Sequence, residues 1–144
     1  ADVTLALEPM HPACASEWTF LTDLESSLAL VESYQTPHLK LVLDAYHFGH
    51  DPSVLANLSE IVPHIALVQL GDRLTAHNID HDRCPLGEGV VPFSQLLCNL
   101  SEAGYEGDFD VELAGQDIEL HDYEKLLAIS KQTFERLTAA VANS

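Results

Sequence analysis

The sequence predicts an α/β fold built on a parallel sheet, and three observations predict it. Four short apolar runs each end in polar residues; each is followed by a longer segment of three-and-four periodicity; and the two kinds alternate four times along the chain. Strand–helix alternation of this kind requires right-handed crossovers between parallel neighbours. At 144 residues and 47% hydrophobic the chain has material for one domain with one core, so residues 1–144 are read as a single domain.

Val3 to Leu7 alternates into Glu8-Pro9, and Leu39 to Leu43 is an almost unbroken apolar run that stops at Asp44. Both suit buried parallel strands. Ile65 to Leu70 leads into Gly71-Asp72, and Phe109 to Leu113 is a short strand that carries Glu112 after the breaker Gly107-Asp108. Between them, Trp18 to Tyr34 places Phe20, Leu21, Leu24, Leu28 and Val31 on one helical stripe, with Ser16 as the expected N-cap. Trp18 and Phe20 are read first as helix packing and second as an apolar wall to a pocket. Asp51-Pro52 opens a helix through Ile61, since Asp caps and Pro suits a first turn. Pro92 to Ala103 is a third helix closed by Gly104, and Asp122 to Val141 is the fourth and longest. The stretch from Gly71 to Val91 is irregular, and a loop of that size in an α/β unit is usually functional or disordered.

Charge narrows the function classes. With 23 acidic against 6 basic residues the formal charge is −17, a field that repels phosphate backbones and anionic membranes, so neither nucleic acid nor a membrane is expected as partner. Most of that acidity reads as solvated surface. Cys14, Cys84 and Cys98 form no C-x-x-C pair and leave an odd thiol, which argues against a disulfide framework and for a reducing cytoplasm. No signal-like or membrane-spanning run is visible, and Ala1 leads straight into an apolar run, which points to processing or to a cut from something longer.

Active sites of parallel α/β folds lie at the carboxyl ends of the strands, where the loops converge. That rule selects Glu8, Asp44, Gln69 and Glu112, four oxygen donors suited to a hard divalent ion such as Mg²⁺ or Mn²⁺. Taken singly, a carboxylate at a strand end is more often a helix cap or solvated group; four in successive units reverse that weighting. His47 follows Asp44 by one short turn and faces the same pocket. In the long loop Arg83 offers a planar fork to a substrate oxygen, against the alternative of a surface Arg on a turn. His77 and His81, in the same loop, are placed around the pocket as outer groups, while the remaining histidines, His11, His38, His50, His64 and His121, are read mostly as surface.

The series Leu7-Glu8-Pro9, Asp44-Ala45-Tyr46-His47, Val68-Gln69-Leu70-Gly71-Asp72, Asp82 to Gly89 and Val111-Glu112-Leu113 resembles, in order and over nearly the whole chain, the C-terminal half of the xylose isomerase-like (β/α)8 barrels. These include sugar isomerases and epimerases, hydroxypyruvate isomerase and the endonuclease IV family. The resemblance implies a (β/α)4 half of a TIM barrel and makes Glu8, Asp44, Gln69 and Glu112 ligands of a divalent metal ion (Mn, Mg, Co or Zn), with Gln69 at a position that is His in many members. It implies that Glu8 and Glu112 shuttle a proton and that His47 and Arg83 contact a small sugar or keto-acid substrate. Cys84 replaces the His of the endonuclease branch's Asp-Arg-His segment, and together with Gln69 and the acidity it weighs against that branch. A flavodoxin-like domain is disfavoured because Lys40, Lys125 and Lys131 all lie away from late strand ends. Four strands alone leave two open sheet edges, so the expected state is a homodimer or a chain missing its N-terminal half, and a metal-binding half-barrel without turnover is the rival reading.

Overall fold

A computed structural model describes residues 3–15, 18–75 and 82–142. The expected cap Ser16 and the loop histidines His77 and His81 lie outside the described residues. Four strands, β1 (Leu5–Leu7), β2 (Leu39–Asp44), β3 (Ile65–Gln69) and β6 (Asp108–Asp110), form one sheet in the order β1-β2-β3-β6, and every pairing is parallel. Two further strands, β4 (Asp72–Arg73) and β5 (Arg83–Cys84), make a small antiparallel ribbon inside the segment expected to be irregular.

The pleat sorts the side chains. Leu43 and Val68 are register partners, both fully buried within the apolar cluster that joins the sheet to the helices. The next pair, Asp44 and Gln69, therefore points to the opposite face, because side chains alternate along a strand. The helices are α1 (Pro12–Ala15), α2 (Leu24–Ser33), α3 (Ala45–Phe48), α4 (Pro52–Ala56), α5 (Leu58–Ile61), α6 (Phe93–Glu102), α7 (Gln116–Glu119) and α8 (Tyr123–Val141). Leu24, Val31, Leu58, Ile61, Leu96, Leu97 and Leu100 bring α2, α5 and α6 onto the outer face of the sheet.

Several boundaries differ from expectation for identifiable reasons. The first long helix starts at Leu24, because the Asp23 carboxylate takes the Ser26 N–H at 2.7 Å and caps it there. Trp18 and Phe20 precede it and are 80% and 85% exposed, so they pack no helix; Phe20 instead lines the open, largely apolar cavity beside β1 with Leu5, Leu7 and Glu8. The segment opened by Asp51-Pro52 breaks at Asn57, whose side-chain amide donates to the Ser53 carbonyl at 2.8 Å and competes with the helical ladder. The last strand ends at Asp110 and not Leu113: β6 pairs only with β3, and the ladder stops where the Leu70 N–H meets the Asp110 carbonyl at 2.7 Å. Glu112 consequently sits two residues past the strand.

Candidate active site at the strand ends

The carboxyl ends of β1, β2, β3 and β6 bring the residues singled out from sequence to one place. Asp44, fully buried, is the centre. Its Oδ1 caps α3 by accepting the Tyr46 N–H at 2.9 Å, which leaves Oδ2 for the pocket. There Arg83 donates to Oδ2 from Nη2 at 3.0 Å, and the same Nη2 lies 3.7 Å from Glu112 Oε1. The Arg83 Nη1 donates to the Glu112 carbonyl at 3.2 Å. On the other flank His47 Nε2 is 3.7 Å from Asp44 Oδ2 and 4.0 Å from Glu8 Oε1. Glu8, His47, Asp44, Arg83 and Glu112 thus form a continuous polar series across the sheet end.

Burial, and the acids gathered around them, raise the proton affinity of Glu8 and Asp44. Glu8 is pushed up from 4.5 to about 7, first by burial and then by the charges of Glu112 and Asp44, with Arg83 opposing. Asp44 rises from 3.8 to about 6 through burial, against the pull of Arg83 and the Tyr46 N–H. Gln69 Oε1 and Glu112 Oε2 are buried and have no hydrogen-bond partner among the described residues. Orphaned buried acceptors beside two carboxylates fit a cation, and the donor set is all oxygen. Glu8, Asp44 and His47 also offer ligand atoms within 4.8 Å of one another.

Around this core lies a support that the sequence reading passed over. The Tyr46 ring is covered by Arg83 at 4.0 Å and by Arg73 at 4.8 Å, while its hydroxyl donates to Asp82 Oδ1 at 3.0 Å. Arg73 is fully buried; it donates to the Tyr46 carbonyl at 3.1 Å and pairs with Asp82 at 3.4 Å. Asp72, buried beside it, accepts the N–H groups of Arg73 at 2.8 Å, Gly87 at 2.9 Å, Gly89 at 2.9 Å and Val91 at 3.2 Å. One carboxylate therefore holds the glycine-rich turn that follows β5, the strand that presents Arg83. Gly71 leaves room for that guanidinium, since a Cβ there would collide with Arg83 Nη1 and come within 2.8 Å of Tyr46 Cβ. The one available signal for Asp72 was its position directly after Gly71 at a strand end.

His11 is the clearest correction to the surface reading of the remaining histidines. It is 1% exposed, edge-on to the His47 ring at 4.9 Å, with Cys14 Sγ 3.4 Å from its Nε2.

A parallel sheet flanked by helices, with its polar residues gathered at the carboxyl ends of the strands, places the chain among the parallel α/β proteins, the class that holds both open doubly wound sheets and TIM barrels. Within that class the chain belongs to the xylose isomerase-like TIM barrel family, which matches residues 1–137. It is 27% identical over 136 residues to the inosose isomerase of Halalkalibacterium halodurans, covering 91% of this chain and 46% of that protein. Among solved structures it is similar to a xylose isomerase domain protein from Alicyclobacillus acidocaldarius (TM-score 0.81, 21% identity, 96% of this chain and 52% of that one). It is also similar to an IOLI protein with a zinc atom (TM-score 0.77, 24% identity, 94% and 49%) and to an L-ribulose 3-epimerase (TM-score 0.71, 19% identity, 98% and 48%). The chain spans about half the length of these relatives. No helix among the described residues is long and apolar enough to cross a membrane.

Proposed function

We propose that this chain is the C-terminal, metal-binding half of a divalent-metal-dependent isomerase or epimerase that moves a proton on the carbon next to the carbonyl of a small sugar or keto acid. The observation that carries the reading is the convergence of Glu8, Asp44, Gln69 and Glu112 from four adjacent parallel strand ends, with buried, unpartnered oxygens on Gln69 and Glu112. These four residues would hold the ion, Mn²⁺ or Mg²⁺ fitting an all-oxygen set best and Co²⁺ or Zn²⁺ next. When bound, such an ion supplies Lewis-acid polarisation of the substrate's carbonyl and hydroxyl oxygens, which makes the neighbouring C–H acidic.

The chain's own groups do the rest. Glu8, at the end of β1 beside His47, is placed to accept and return a proton on one face of the substrate. Glu112 reaches the pocket from the far strand and is the second carboxylate for the opposite substrate face. Arg83, fixed over Tyr46, presents donors to a substrate oxygen, and His47 provides a further polar contact beside Glu8. Held geometry of this kind counts because misplacement of reacting groups costs rate steeply. Names of relatives such as inosose isomerase and L-ribulose 3-epimerase support a polyhydroxy carbonyl substrate.

Elemental analysis coupled to light scattering decides the first step. The wild type is expected to hold about one divalent ion per chain and Glu112→Ala to lose it; a wild type that stays metal-free after incubation with Mn²⁺ overturns the site. Deuterium uptake from solvent into the substrate next to its carbonyl, measured on a completed barrel, then separates turnover from binding alone.

A further inference from the structure

Against His47 lies a cluster of different chemistry. His11, Cys14 and His47 are all buried, and each offers a ligand atom within 4.8 Å of the other two. Cys14 Sγ and His11 Nε2 are 3.4 Å apart. Two ligand atoms on one tetrahedral zinc ion, at about 2.3 Å for sulfur and about 2.0–2.1 Å for nitrogen, are separated by about 3.5 Å. The His11–Cys14 spacing already matches one edge of that tetrahedron. The spacing has a structural origin: Pro12 opens the short helix α1, and the Cys14 N–H donates to the His11 carbonyl at 3.0 Å, folding the thiol back over the imidazole.

A cavity of about 390 Å³ adjoins the cluster, lined by His11, His47 and His50 and by the acids Asp23 and Asp51. His50 Nδ1 is buried with no hydrogen-bond partner among the described residues. Three imidazoles around one space, a thiol against the first of them and two acids at its rim make a polar, cation-attracting chamber with room for a fourth ligand.

From this arrangement we infer that His11, Cys14 and His47 form a second, soft-metal site, selective for Zn²⁺-like ions and separate from the oxygen site at the strand ends. Two imidazoles and a thiolate suit zinc, whereas Glu8, Asp44, Gln69 and Glu112 offer oxygen alone. Binding releases the Cys14 thiol proton to solvent and leaves the metal's oxidation state unchanged. A water from the adjoining cavity, which His11 and His47 line, would supply the fourth ligand. His47 belongs to both clusters: its Nε2 faces Glu8 and Asp44, and its Nδ1 accepts the His11 N–H at 3.4 Å, a long hydrogen bond that ligation at Nδ1 would replace.

Co²⁺ titration of the full chain tests this directly, since thiolate ligation gives a charge-transfer band in the near ultraviolet that oxygen ligation does not. The wild type is expected to show the band at one equivalent, and Zn²⁺ to bleach it. Cys14→Ser is expected to abolish it and His11→Ala to weaken Co²⁺ binding at least ten-fold, while Cys84→Ser and Cys98→Ser retain it. Glu112→Ala is expected to keep the band, so failure of the oxygen site and failure of the soft site are read separately. A wild type without the band, or a band that survives Cys14→Ser, overturns the proposal.

Discussion

Asp44 shows how much one residue can be asked to do. A single carboxylate caps α3 through Oδ1, pairs with Arg83 through Oδ2, and lies 3.7 Å from His47 Nε2, all while fully buried. The cost of burying it appears in its proton affinity, raised to about 6, as that of Glu8 is to about 7. Both groups bind a proton more tightly folded than unfolded. The stability they contribute is therefore fully present below about pH 4 and is lost as pH rises through 6 and 7. Thermal melts of the metal-stripped chain are expected to show a lower midpoint at pH 8 than at pH 5. Added Mn²⁺ is expected to recover it at pH 8, because a bound cation replaces the protons. A midpoint that rises from pH 5 to pH 8 without metal contradicts the account.

At the scale of elements, what could be read in advance was what period and punctuation encode. The apolar runs of β2 and β3, the Asp51-Pro52 start, the Asp122 cap and the Gly104 stop, with φ of +80°, all lie where the sequence places them. Glu8, Asp44, His47 and Glu112 come together because strand ends in a parallel sheet converge, whereas Arg83 reaches them from the antiparallel β4–β5 ribbon, which the sequence pattern does not announce. Long-range pairings stayed hidden: nothing local says that Arg73 turns inward, that Asp72 gathers the N–H groups of Gly87, Gly89 and Val91, or that His11 is buried against His47. Such contacts are settled by tertiary packing. Asp72 makes the clearest test of the loop. Asp72→Ala leaves two buried N–H groups, those of Arg73 and Val91, without their acceptor, each worth about 1–3 kcal/mol, so denaturant unfolding is expected to show a loss of about 2 kcal/mol or more. Arg83 is expected to lose its fixed position with it, and Asp72→Asn, which keeps one acceptor oxygen, to fall between. Equal stability of Asp72→Ala and wild type would mean that the turn after β5 stands without that carboxylate.

For the whole molecule, the decisive feature is that the sheet has two edges, β1 and β6, and that apolar side chains stand exposed on both flanks. Val3, Leu5, Trp18 and Phe20 lie uncovered near β1, and Leu120, Tyr123 and Leu127 along α7 and α8. Beside β1, Leu5, Leu7, Phe20, Leu30 and Leu39 line a largely apolar cavity of about 690 Å³. Water-exposed apolar area of this extent on an unpaired parallel edge is a surface for association. Four further strand–helix units, from an N-terminal half or from a second copy, would close the sheet into a barrel and cover both flanks. Leu127→Glu on α8 and Val3→Glu just before β1 put a charge on each flank away from the strand-end residues. For the chain on its own, light scattering is expected to show association in the wild type and a shift toward monomer in either variant, with the Mn²⁺ content per chain unchanged. Association that ignores both substitutions would place the contact elsewhere on the molecule, and a monodisperse wild-type monomer would mean that the open edges tolerate water as they stand.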